Sequence, residues 1–179
     1  MNKLLLAALM SSAFFAAAAP TAPAAKPHTA SAPHGQKAAG TVSYSRGEGY
    51  FVKNTHPIPA NGISCLWLDG QANFDQVFQK APPLMNSKRS VPLSLVDAVA
   101  FAVIYQGTTV PEMKVTSVTV KDGAAVVAYT LTQPKSEGTA TFAVPLIIVV
   151  DKAAIDKAGG AKIVRFIENG KEIGTAQAK

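Results

Sequence analysis

From residue 41 to the C-terminus, short runs rich in β-branched and aromatic residues are separated by turn-forming dipeptides. The runs cover 41–45, 50–53, 63–68, 113–120, 124–131, 139–150 and 162–168. The dipeptides are Asn61-Gly62, Asp69-Gly70, Asp122-Gly123 and Asn169-Gly170, hairpin-type signals because these residues tolerate positive φ. The pattern predicts a mainly β (α+β) domain: an antiparallel β-sheet or sandwich-like fold with one or two short helices. The clearest hairpin joins 114–120 to 124–130 across Lys121-Asp122-Gly123, where Gly123 supplies the left-handed conformation. A second joins 162–168 to a short last strand at 171–173, predicted to lie at an edge.

Helical spacing shows most clearly at 72–80, where Phe74, Val77 and Phe78 share one face, with Asp69 or Asn73 available as a cap. Pro82-Pro83 follows. A second short helix is predicted over 153–158, ahead of Gly159-Gly160. Residues 93–105 fit two descriptions equally well, a buried helix or a strand buried on both faces, because a continuous apolar run carries no period.

The first 40 residues follow different rules. Residues 1–18 combine Lys3, an apolar run over 4–10 and small residues at Ala16 and Ala18, which read as a secretory signal peptide cleaved before Ala19. Residues 19–40 are Ala, Pro, Thr, Ser, Lys and His without apolar periodicity, and read as a disordered linker. Residues 41–179 then form a single globular domain. Export directs the chain to a periplasm or the outside of the cell, with no stable membrane anchor once the signal is removed. His28 and His34 fall in the linker without a fixed third ligand, so no metal site is assigned.

Composition narrows the function classes. The chain has 17 Lys and Arg against 11 Asp and Glu, but Lys3, Lys26 and Lys37 precede the domain, leaving 14 against 11 in 41–179. That balance does not favour nucleic acid, and Lys88-Arg89 reads as a solvated loop. One cysteine excludes an internal disulfide and a Cys-based zinc module; Cys65 is expected to be buried beside Trp67 as a small apolar side chain.

Catalytic chemistry is sparse. His56, in the turn-forming stretch 54–59, is the domain's one histidine, and no nucleophile elbow selects a serine for it. Asp151 with Asp156 reads as a solvated face, and Glu168 with Glu172 as a cross-turn pair. Gly47-Glu48-Gly49 lacks the Lys-Ser/Thr and following helix of a phosphate loop and reads as a bulge or turn. No catalytic residue and no cofactor are assigned.

Residues 98–107, the Thr/Pro loop after them, an alternating strand, a Gly turn and Tyr129 form a succession that resembles the C-terminal domain of PrcB-type protease-complex subunits. The stretch 142–152 is similar to that family's late Pro-containing strand, and the helix around 74–78 falls where such domains place one. The loop 107–113 departs from the family, with Met113 about where its tyrosine stands. The resemblance implies that 98–105 is a central strand. It also implies a noncatalytic interaction domain that modulates or stabilises an exported protease. The expected partner-binding residues are Thr108, Thr109, Val110, Pro111 and Met113 in one loop, and Gln133, Pro134 and Lys135 in another, since loops projecting from a rigid sheet carry recognition. The alternative is a periplasmic small-molecule or lipid carrier, in which the apolar stretches 98–105 and 142–150 line a cavity.

Overall fold

A computed structural model describes residues 40–82, 92–135 and 138–178. The segments expected from the sequence to be a signal peptide and a linker, up to residue 39, and the pair Lys88-Arg89 lie outside the described residues. In chain order the described residues form β1 (Gly40–Thr41), β2 (Ser45–Gly47), β3 (Tyr50–Val52), β4 (Ile63–Asp69), α1 (Gln71–Val77) and β5 (Phe78–Lys80). They continue through β6 (Ala98–Gly107), β7 (Glu112–Lys121), β8 (Ala124–Thr132), β9 (Phe142–Asp151), α2 (Lys152–Lys157), β10 (Ile163–Glu168) and β11 (Lys171–Gln177). The fold is mainly β with two short helices, as the alternation predicts.

The strands form a five-stranded sheet in the order β1-β7-β8-β10-β11, a four-stranded sheet in the order β2-β9-β6-β4, and a ribbon of β3 with β5. Neighbours are antiparallel except β10, which runs parallel to β8. The exception follows from the route of the chain. After β8 it crosses into the four-stranded sheet as β9 and returns through α2, so β10 arrives by a crossover and not by a hairpin.

Residues 93–105 resolve into a strand, β6, paired on one side with β9 and on the other with β4. Its side chains alternate between two cores. Val99, Phe101 and Val103 face the five-stranded sheet and meet Val118, Val127, Tyr129, Val164 and Phe166. Ala98, Ala100, Ala102 and Ile104 face the other way, where α1 and the ribbon bring Phe74, Phe78 and Val52. A strand covered on both faces has no reason to alternate apolar with polar, and so it shows no period. β9 divides likewise, with Leu146, Ile148 and Val150 in the first core and Ile147 and Val149 in the second.

Local departures from the sequence expectations have physical causes. The run 41–45 splits, because the chain leaves β1 in one sheet and enters β2 in the other; Val42 between them is buried, and its N–H donates to the Val118 carbonyl at 2.9 Å. The helix expected over 72–80 ends at Val77. Phe78 turns extended (φ −114°, ψ 152°) and pairs with Val52, and its ring stays 5.0 Å from that of Phe74. Strand pairing satisfies the backbone at 78–80 as well as another helical turn would, and keeps the apolar contact. Gly70 takes the N-cap position, with φ 90°, so Asp69-Gly70 leads from strand to helix and is not a hairpin turn; neither Asp69 nor Asn73 caps through its side chain. Asp122-Gly123 and Asn169-Gly170 do form two-residue hairpins, both residues of each with positive φ. The last strand runs on to Gln177 and is an edge of the five-stranded sheet.

The alanine face of β6 sets a testable limit on volume. Ala100→Leu forces methylenes into a closed layer and is expected to lower the unfolding free energy by about 1–3 kcal/mol. The exposed change Lys114→Gln is expected to stay within about 0.5 kcal/mol. Urea unfolding followed by the fluorescence of Trp67, the chain's one tryptophan, measures both.

Candidate functional site

A groove of about 680 Å³ opens where the cover of the four-stranded sheet stops. In β3, Tyr50 and Val52 point inward, Tyr50 meeting the Phe74 ring edge-on at 5.1 Å. Strand alternation therefore turns Phe51 outward, where it is 52% exposed. β2 pairs with β9 only at residues 147–149, so the first half of β9 has no paired strand on that side among the described residues. Pro145, which has no N–H to leave unpaired, lies in this open stretch. Phe142, at the start of β9, is 42% exposed, and Val110, from the loop after β6, is 55% exposed. All three side chains line the groove. Arg46 and Glu48 stand at its margin, both exposed and without an ion-pair partner among the described residues.

The structure joins the two loops singled out from the sequence. The Gly138 N–H donates to the Thr108 carbonyl at 3.1 Å, and the Gln133 carboxamide donates to the Tyr105 hydroxyl at 2.6 Å. Within the first loop the roles divide. Thr108 and Val110 are exposed, whereas Thr109 and Pro111 are buried and Met113 sits in the core between the sheets. Met113 serves packing because β7 begins at Glu112, and alternation then sends residue 113 inward. Gln133, Pro134 and Lys135 are exposed, and none of them lines the groove. Sequence reasoning missed Phe51, Phe142 and Arg46. The one available signal was a large aromatic in each of two strands at a position whose neighbours face inward.

A second groove, about 520 Å³, lies along β4 and contains His56, Cys65 and Trp67. Its chemistry is subdued. His56 Nε2 lies 3.5 Å from Ser64 Oγ, Ser64 is buried, and no carboxylate is bonded to the imidazole among the described residues. Burial pushes the His56 pKa down, which favours the neutral ring. The Cys65 thiol is half-buried against Gly174 of β11, and burial pushes it from 9.0 up to about 11. Trp67 meets Phe101 edge-on at 4.8 Å, and its indole N–H has no acceptor among the described residues.

The Glu168 and Glu172 carboxylates are separately engaged. Glu168 accepts the Tyr129 hydroxyl at 3.0 Å, and the phenol is held well above its ordinary pKa by burial first and by the Glu168 charge second. Glu172 accepts from Arg165 Nε at 2.8 Å on the neighbouring strand. Among the described residues no group of three or more His, Cys, Asp or Glu is placed to hold a metal ion, and no helix is long and apolar enough to cross a membrane.

No family model, curated protein or solved structure matches the chain.

The raised thiol fixes a pH dependence. Because the folded pKa of Cys65 lies above its unfolded value, the contribution is complete below pH 9.0 and is lost as the pH rises toward about 11. Urea midpoints measured from pH 8 to 11 should fall, and Cys65→Ala should fall less steeply, with the residual slope due to Tyr129. In the native chain at pH 8, alkylation of Cys65 by iodoacetamide should be slow, becoming fast in urea.

Proposed function

We propose that this chain is an exported, noncatalytic protein-interaction domain that docks an apolar segment of its partner in the groove between β3 and the start of β9, and that the partner is an exported protease. One observation carries the docking site: Phe51, Val110 and Phe142 are all exposed and all line one groove. Large apolar side chains gathered in a concave surface with a polar margin are the anatomy of an interface centre, where aromatic anchors dominate the binding energy. The pattern of residues 1–18 supports export to a periplasm or beyond, and the Ala/Pro-rich segment 19–40 supports a tethered module. The choice of a protease rests on the resemblance of residues 98–152 to PrcB-type subunits.

A carrier of small apolar molecules is the second reading. It draws on the size of the same groove, which falls in the range of about 300–1,000 Å³ usual for ligand sites. Against an internal cavity stands the packing of β6, whose residues 98–104 are all buried against the two cores.

A pull-down from native envelope and culture fluid, read by mass spectrometry, tests the interaction. An exported protease should be retained by the wild-type chain and reduced at least about tenfold with the double variant Phe51→Ser/Phe142→Ser, since each anchor is worth about 2 kcal/mol or more. Both sites are exposed, so the urea midpoint of the variant should stay close to wild type. Retention of no exported protease overturns the reading, and stoichiometric lipid extracted from the purified chain establishes the carrier in its place.

A further inference from the structure

The second groove holds an open strand edge that, unlike the open stretch of β9 in the Phe51 groove, is not interrupted by a proline. β4 is an outer strand of the four-stranded sheet, paired on one side with β6 and on the other with no strand among the described residues. Which of its backbone groups are open follows from one bond. The Gln106 N–H donates to the Gly62 carbonyl at 2.7 Å, so in the unbroken register with β6 the even residues 62, 64, 66 and 68 face the ladder. Antiparallel pairing alternates, and the odd residues Ile63, Cys65, Trp67 and Asp69 therefore turn their N–H and C=O groups outward.

The chain itself satisfies the two ends of this outward row. The Ile63 N–H donates to Asn61 Oδ1 at 3.2 Å, and the Asp69 carbonyl accepts from the Asn73 carboxamide at 3.0 Å. Between those stoppers, the N–H and C=O groups of Cys65 and Trp67 have no partner among the described residues. They run along a trough with α1 and the loop through His56 on one side and the end of β11 on the other.

Edge strands are ordinarily blunted by shortness, charge, proline or a bulge. The other outer strands obey this rule. β1 has two residues, β2 has three, and β11 carries Lys171 and Glu172 and a register shift beside Phe166. β4 has seven residues, no proline and no Lys or Arg, and keeps continuous register. Among the described outer strands it is the long one without a proline, a basic residue or a register shift.

We propose that the β4 edge is a second binding site, which takes an extended, uncharged segment of another protein as an added strand, hydrogen-bonded to Cys65 and Trp67. Three observations select this occupant. The margin of the trough is formed by neutral polar groups, Thr55, Asn73, Gln76 and Gln177, with His56 favoured in its neutral form, so nothing there compensates a charged segment. A second copy pairing through its own β4 would bring a second α1 and a second His56 loop against the trough already bounded by this chain's own. The chain's own residues 19–33 carry Pro20, Pro23, Pro27 and Pro33, which remove the donors that a ladder needs, and the stretch 34–39 carries the charge of Lys37. In this mode the main chain supplies affinity, and alternate side chains meeting α1 and β11 supply selectivity.

A phage-displayed library of random heptapeptides, panned on the purified chain, supplies the probe. Recovered sequences should be uncharged and proline-free at their centre. A synthetic heptapeptide of that sequence should change the fluorescence of Trp67, which is the chain's one tryptophan, and shift the amide resonances of Cys65 and Trp67. N-methylation of the peptide at alternate positions should weaken binding about tenfold, one buried hydrogen bond's worth, and at the intervening positions hardly at all. Gln76→Phe, an exposed change on α1 that adds bulk at the trough and keeps Trp67 the sole tryptophan, should weaken binding with the urea midpoint unchanged. The proposal is overturned if no peptide is recovered above background or if N-methylation is tolerated at every position. It is equally overturned if the peptide shifts Phe51 and Phe142 instead, or if the chain is a dimer with the Cys65 and Trp67 amides already protected from exchange. The variant Phe51→Ser/Phe142→Ser should bind the heptapeptide normally, which separates this site from the Phe51 groove.

Discussion

The structure depends on the burial of one strand, β6, on both of its faces. Every residue from Ala98 to Ile104 is at most 6% exposed, so the strand cannot exist without a cover on each side. The two covers differ because the two faces differ. Val99, Phe101 and Val103 present volume to the five-stranded sheet, which returns Val127, Val164 and Phe166. Ala98, Ala100 and Ala102 leave space, and Phe74 and Phe78 fill it from α1 and β5. Large against small across each interface is what dense packing requires, and a fully buried aromatic is worth about 1.5–3 kcal/mol relative to exposure.

The geometry of the cover also decides where the surface is left open. The ribbon and α1 shield the middle of the four-stranded sheet, but neither adds a paired strand to the start of β9 or to the outer edge of β4 among the described residues. At β9 the gap exposes side chains, with Phe51, Phe142 and Val110 around a groove. At β4 it exposes main chain, with the Cys65 and Trp67 backbone at the bottom of a trough. Both openings are consequences of covering a wide sheet with a small layer.

Charged groups contribute little to holding this arrangement together. Asp69 with Lys152 at 2.7 Å, and Arg165 with Glu172, are surface pairs with side chains more than a third exposed, where the typical contribution is about 0–1 kcal/mol. Tyr129 is the polar group most embedded in the core, and Glu168 gives its hydroxyl a partner, so that the ring packs with Val127 and Phe166 without an unsatisfied donor. Cys65 fills the narrow space beside Gly174, where a Cβ would stand 2.8 Å from Sγ. These groups serve packing.

The amino-acid order by itself determined most of the strand inventory. Alternation in 113–120 and 124–131 and the left-handed tolerance of Asp122-Gly123 and Asn169-Gly170 are local properties, and they suffice to specify two hairpins. The helix core at Phe74, Val77 and Phe78 was legible for the same reason, although its end was not, because a partner strand 26 residues upstream captures Phe78. Whether 93–105 is strand or helix was illegible because burial on both faces erases the period. The candidate sites were less legible still. Val110 and Thr108 stood out as loop residues, but the burial of Thr109, Pro111 and Met113, the outward turn of Phe51 and the open ladder of β4 depend on which strands lie beside which. Strand order is a long-range choice made by the two faces of β6, and only the assembled sheets could decide it.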